Sequence, residues 1–266
     1  MSNTGIRGVS GGNFEFGWRL HVALGTVPDH SLMSAIGEIE NMTTDPTDVW
    51  RGNELTPAPA SITTVPTPSA AGEQMTIVSE SANDASAGTG IQTVQIHYLD
   101  ASGDQQKEDI TMTGTTPAHT VATDIMFVNE MHALTVGTGT VAAGHIKLYK
   151  FGDASLVYSM IAAAGNFALM PHRMVPSGHK LVITSFHATE GNSKRAAFRL
   201  RATNDGLQLL SGVFLFKDSM YLSKSALTHD DLLVPVPSLS IVKVTAWPSA
   251  VGSEGSCHWQ GILIKD

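Results

Sequence analysis

Eleven histidines are the side chains of this sequence best suited to chemistry, because imidazoles titrate near neutral pH and ligate zinc-class ions. A zinc site requires three or four ligands that converge on one point. No His-Glu-x-x-His run occurs, and Glu130-Met131-His132 lacks the helical spacing that sets two ligands on one face. His97, His179, His187 and His258 fall in or beside strand-like runs with no Asp, Glu or His paired at strand spacing. The expectation is scattered surface and edge histidines, with no metal and no cofactor.

Other chemistry-bearing patterns fail on spacing. The stretch from Asp100 to Asp109 holds four acidic residues, but it departs from a calcium loop and lacks the terminal bidentate Glu. Gly88-Thr89-Gly90 and Gly137-Thr138-Gly139 lack the third glycine, the lysine and the following helix of a phosphate cradle, so they read as turn glycines. "GSEGSC" is not a nucleophile elbow. No residue is nominated as acid, base or nucleophile, and the expectation is a protein that is not an enzyme.

The elements that would carry these residues are strands. Hydrophobic residues make up 42% of the 266, while charged residues are only 15%, well below the usual quarter. Thr, Ser, Asn, Gln and Gly fill the polar side, which suits strands and turns better than solvated helices. In "IQTVQIHYLDASGDQQKEDITMTGTTP", Val94, Ile96 and Tyr98 share one face and Thr93, Gln95 and His97 the other. Asp100 to Asp104 supplies turn chemistry, after which Ile110 and Met112 resume the inward alternation.

The chain divides into three parts on this reading. Residues 1–69 form an N-terminal arm and a crossing segment, in which Pro46, Pro57, Pro59, Pro66 and Pro68 exclude a helix. For "FEFGWRLHVALGTVPDHSLMSAIGEIENM" an arm lying on another surface and an ordinary first strand with a short helix remain equally open. Residues 70–152 form a first β-sandwich. Residues 153–266 form a second, jelly-roll-like one, because "VPSGHKLVITSFHA", "AAFRLRATND", "SGVFLFKD", "LLVPVPSLSIVKVTAWP" and "SCHWQGILIKD" are strand-length runs parted by turn residues. The fold class expected is all-β, two tandem antiparallel sandwiches with an extended N-terminal arm.

The formal charge of −8 opposes nucleic-acid binding, which rests on clustered Lys and Arg. Arg199 and Arg201 alternate with Phe198 and Leu200 and read as the wet side of a half-buried strand. Cys257 is the only cysteine, so it forms no intrachain disulfide. The N-terminus lacks the apolar core of a signal peptide, and no run reaches the roughly 20 apolar residues of a membrane span.

Several segments in order resemble a family of tailed-bacteriophage virion proteins. They are "VALGTVPDHSLMSAIGEIENM", "DVWRG", "SANDASAGTGIQTVQIHYLDASGDQQKEDITMTGTTP", "MVPSGHKLVIT" and the terminal "QGILIKD". The third is the most specific, a series of strands joined by Ser-Ala-x-Asp, Ala-Gly-Thr-Gly and Leu-Asp-Ala-x-Gly turns. His97 and Tyr98 depart from it, standing where small or apolar residues are more usual. The resemblance implies a virion component made in the host cytoplasm. With the charge-poor β composition it leads to a capsid decoration or cement protein on the head exterior. Its expected partners are the major capsid protein and itself as a homotrimer, with neither nucleic acid nor membrane. Phe14, Phe16, Trp18 and Trp50 are the expected contact residues. The alternative is a tail or head-surface appendage that adheres to host surface glycans, with Trp247 as the stacking candidate.

Overall fold

The computed structural model describes residues 20–54, 71–203 and 213–266, and Phe14, Phe16 and Trp18 lie outside them. One turn of helix at residues 20–23 precedes β1 (His30–Met42), β2 (Thr47–Asp48) and a 3-10 helix (Arg51–Glu54). The middle of the chain carries β3 (Met75–Ser79), β4 (Ile91–Asp100), β5 (Gln105–Thr111), β6 (Ala118–His119), β7 (Ile125–Val136), β8 (Ile146–Lys150) and β9 (Asp153–Ile161). The last strands are β10 (Arg173–Met174), β11 (His179–Ala202), β12 (Leu215–Val236), β13 (Ile241–Pro248) and β14 (Ser253–Lys265). All pairings are antiparallel, and the all-β sandwich expectation holds.

In the first sandwich the sheet β6-β3-β8-β9 and the sheet β5-β4-β7 enclose one core. The period-2 alternation is realised as read: Val94, Ile96 and Tyr98 of β4 are buried with Ile110 and Met112, while Thr93, Gln95 and His97 face outward. Asp100 closes the β4–β5 turn, its Oδ1 accepting from the Ser102 and Asp104 amides at 2.9 and 3.1 Å. Gly103, at φ 81°, takes the left-handed position there. The glycine-rich link after β7 does not return the chain to β7's own sheet. β7 pairs with β4 and β8 with β3, so the link crosses from one layer to the other.

A buried carboxylate organises that crossing. Asp84 Oδ1 accepts from the Ile91 and Ala143 amides at 2.8 and 3.0 Å, and Oδ2 from Ser79 Oγ and the Gly144 amide at 2.6 and 3.0 Å. The Ser-Ala-Asn-Asp turn thereby ties three loops together. Gly90 is required beside it, because a Cβ at that position would stand 2.1 Å from Asp84 Oδ1.

The second sandwich is one sheet that bends upon itself. β11 pairs through residues 179–190 with β14 and through 196–202 with β13, while β12 follows its other side over both halves. Phe186 and Ala188 from one half and Phe198 and Leu200 from the other share a core with Trp259 and Val244. Two of the short strands expected from sequence are thus a single long one. "EGNSK" bends it rather than ending it, as the buried Glu190 accepts from the Asn192, Lys194 and Lys224 amides across the corner. Such an insertion turns the strand from one layer into the next.

Two sequence-based boundaries and one side-chain placement change. The stretch 30–42, expected within an arm, is β1, paired with β14 from His30–Ile264 to Met42–Ser253. Of the two open readings, a short helix and first strand is therefore the one found for residues 20–42. β9, assigned to the second sandwich by a division at residue 153, pairs with β8 in the first, so the junction falls between Ile161 and Arg173. Trp50, expected as a contact between subunits, is 1% exposed and packs with Val157, Met160 and Met170. It fills the seam between β2 of the second sandwich and β9 of the first. Further along this seam the Asn129 amide mimics a peptide, donating to Met174 O at 3.1 Å and accepting from its N–H at 2.8 Å.

Candidate functional site

The longest strand with mostly exposed side chains is β12. Among the described residues only β11 pairs with it, which leaves its far side as the end of the sheet. Tyr221 is 76% exposed and Leu233 79%, with Phe216 and Leu227 also exposed. An open strand edge carrying apolar side chains is a template for pairing or docking. Lys224 and Asp231 have positive φ where the β11–β12 register shifts, so the edge is cut into shorter straight segments. This restricts which strand can add to it and disfavours indiscriminate aggregation.

Beside this edge lies a groove of about 450 Å³ lined by Arg195, Arg199, Tyr221 and Trp247. The Arg199 guanidinium sits 4.0 Å from the Trp247 ring centroid and 4.7 Å from that of Phe216. A cation over both rings is a cation–π arrangement, and it covers one face of the expected stacking residue. Arg201, read as solvent-facing, is buried instead. Its Nε and Nη2 donate to Phe214 O at 3.2 and 2.9 Å, because residues after 212 fold over that face of β13.

Under the same cover lies a buried ion pair. Lys243 Nζ is 3.0 Å from Asp48 Oδ1 and 3.1 Å from Oδ2, and both residues are 0% exposed. Burial raises the Asp48 carboxyl to about 6 despite the attraction of Lys243, and burial lowers Lys243. His172 stands 3.7 Å from the same carboxylate, held well below its ordinary range by burial and then by Lys243.

A second feature occupies the outer face of the β4–β7 pair. His97 of β4 is the cross-strand partner of Glu130 of β7, and His132 lies two residues further along β7. One ligand atom from each of the three lies within 4.8 Å of the others. This corrects the expectation of scattered histidines. The Glu-x-His spacing, unhelpful on a helix, places both side chains on one face of a strand, and His97 arrives from the neighbouring strand. The signal was present in the alternating run from Met126, but only a strand reading of Glu130–His132 together with the β4–β7 register exposes it.

The cluster borders a cleft of about 590 Å³ between the sandwiches, lined by residues including His97, Glu130, Arg173 and Ser31 to Ser34 of β1. Burial is the main cause holding His97 below its ordinary pKa, so its neutral form dominates at neutral pH. Arg173 is lowered to about 10 by burial and donates to Met170 O and His172 O at 3.0 and 2.8 Å.

No protein-family model matches the chain, and no curated protein matches it in sequence. Among solved structures it is similar to that of infectious bursal disease virus, Gt strain, at 9% identity and a TM-score of 0.21, covering 93% of this chain and 78% of that one. The Gx strain structure gives 8% identity and a TM-score of 0.21, over 89% and 71%. The crystal structure of the infectious bursal disease virus VP2 subviral particle gives 11% and 0.19, over 93% and 77%. Likenesses this slight leave the architecture to be defined by its own strand pairing: an all-β, antiparallel chain of two joined sandwiches.

Proposed function

We propose that this chain is a structural protein of a tailed-bacteriophage particle, a decoration or cement subunit on the outside of the expanded head, acting without a catalytic step. The observation that carries this reading is the open, apolar-studded edge of β12, a surface built for a partner. The segments that resemble virion proteins support the same assignment. A subunit that binds only the expanded lattice shifts the equilibrium toward that state by mass action. Its contacts with the major capsid protein, and with two further copies in a closed ring, should bury over ~1,000 Å² in total.

The test is direct. The chain should be located on the head surface in an electron-microscopy map of the intact particle, in many copies spread over the lattice. The double substitution Leu227→Lys and Leu233→Lys should weaken binding to expanded heads at least about tenfold, about 1.4 kcal/mol. Stability should change little, since both sites are exposed. Unchanged occupancy by a folded double variant would remove β12 from the interface.

Adhesion to host glycans is the second reading, favoured by Tyr221 beside the Trp247 groove. Arg199 across Trp247 weighs against it, because a sugar would have to displace the cation to stack on that face. A few copies at one vertex or on the tail, with glycan binding by the isolated protein, would select this reading over decoration.

A further inference from the structure

We propose that His97, Glu130 and His132 form a binding site for a borderline divalent transition ion of the zinc, cobalt or nickel class. Two imidazoles and one carboxylate are the donor set such ions prefer, whereas calcium and magnesium take oxygen ligands almost exclusively. The three groups come from adjacent strands with fixed register, His97 opposite Glu130 and His132 on the same face of β7, so the backbone brings them together before any ion arrives.

Three further observations point to a ligand. His132 Nδ1 is buried without a hydrogen-bond partner, although it lies 2.9 Å from Glu130 Oε1. The two atoms are close but not aligned to share a proton, so both keep lone-pair capacity for a ligand. His97 Nε2 is 2.8 Å from Gln95 Oε1, and Gln95 Nε2 donates to Asp109 Oδ1 at 2.6 Å. A proton held on Nε2 by that carbonyl oxygen leaves Nδ1 as the ligating lone pair, the outer support that metal-bound histidines usually have. The His132 ring is stacked on Phe167, with centroids 6.3 Å apart and planes at 10°, which fixes its plane.

Ligand atoms on a tetrahedral zinc ion stand about 3.3 Å apart, given bonds of about 2.0–2.1 Å. Binding would draw the three ligand atoms, now within 4.8 Å of one another, to that spacing. The remaining coordination position is left to water, since His97 and Glu130 also line the open cleft. Lys107, opposite His97 on β5, and Arg173, across the cleft, oppose a cation. The site is therefore expected to exchange its ion rather than trap it.

The experiment uses the full chain after chelator treatment. Titration with Co²⁺ should give visible d–d absorption saturating at one ion per chain, and Zn²⁺ should displace it. His97→Gln and His132→Gln should each weaken binding by more than about a hundredfold, beyond the loss typical of an outer-shell partner, with unchanged far-ultraviolet dichroism. The unaltered protein gives an independent readout, because Zn²⁺ must raise its melting temperature reversibly if it binds the folded chain selectively. Absence of saturable binding, binding indifferent to both substitutions, or no rise in melting temperature at saturating Zn²⁺ would each overturn the assignment and leave a hydrogen-bonded surface cluster.

Discussion

Replacing Asp84 with alanine should lower the stability of the first sandwich by about 3–5 kcal/mol. The carboxylate satisfies the Ser79 hydroxyl and the amides of Ile91, Ala143 and Gly144, and it is fully buried. A hydrogen bond to a charged group contributes about 1.5–3 kcal/mol, and a buried donor left alone costs about 1–3. The four contributions do not add in full, because water enters part of the vacated space. Asp84→Asn should lose less: one carbonyl oxygen still accepts, but its NH₂ confronts donors where an acceptor is needed. Urea unfolding followed by dichroism measures the loss, and amide exchange at Ile91 and Gly144 locates it. A decrease under about 1 kcal/mol with both amides still protected would show that the loops hold without the carboxylate.

Substituting Lys243 with methionine should cost about 3–5 kcal/mol above neutral pH, the usual consequence of stranding one partner of a buried pair. The loss should shrink as pH falls. The Asp48 carboxyl is already raised from 3.8 to about 6 in the folded protein, because burial outweighs Lys243. A carboxyl whose folded pKa exceeds its unfolded value favours folding fully below the unfolded value. That contribution disappears as pH rises through the folded one. Removing Lys243 takes away the strongest attraction that opposes burial, so the folded pKa climbs further and the window of pH dependence extends upward. The deficit of the variant should therefore narrow as pH falls toward about 6, the folded value in the unaltered protein, below which both proteins gain stability in parallel. Thermal melts of both proteins above and below that value provide the measurement, and a deficit that does not change with pH would mean that Asp48 is not the stranded group.

What could be read in advance was whatever the chain settles locally. Val94, Ile96 and Tyr98 were assigned inward from period alone, and the Asp100–Asp104 turn from its side chains, because both depend on residues a few positions apart. Distant pairing was opaque. Nothing near His30 announces that its partner is Ile264, and two donors to Asp84 lie about sixty positions further along, at Ala143 and Gly144. Arg201 was placed in water by alternation, but cover supplied by Phe214 reversed that. Trp50, expected at a contact between subunits, instead fills a core that belongs to β9, far along the chain. The candidate ion site was half legible: once Glu130–His132 is a strand, two ligands share a face, but only the β4–β7 register delivers His97.

The continuity of β11 through both layers of the second sandwich has a mechanical consequence. In a sandwich whose layers are joined only by loops, resistance to sliding comes chiefly from the interdigitated side chains of the two inner faces. Here a tangential pull would be carried around the corner by an unbroken run of peptide bonds. Load taken up at one face would reach the other as tension in a covalent strap, before any packed side chain had to yield.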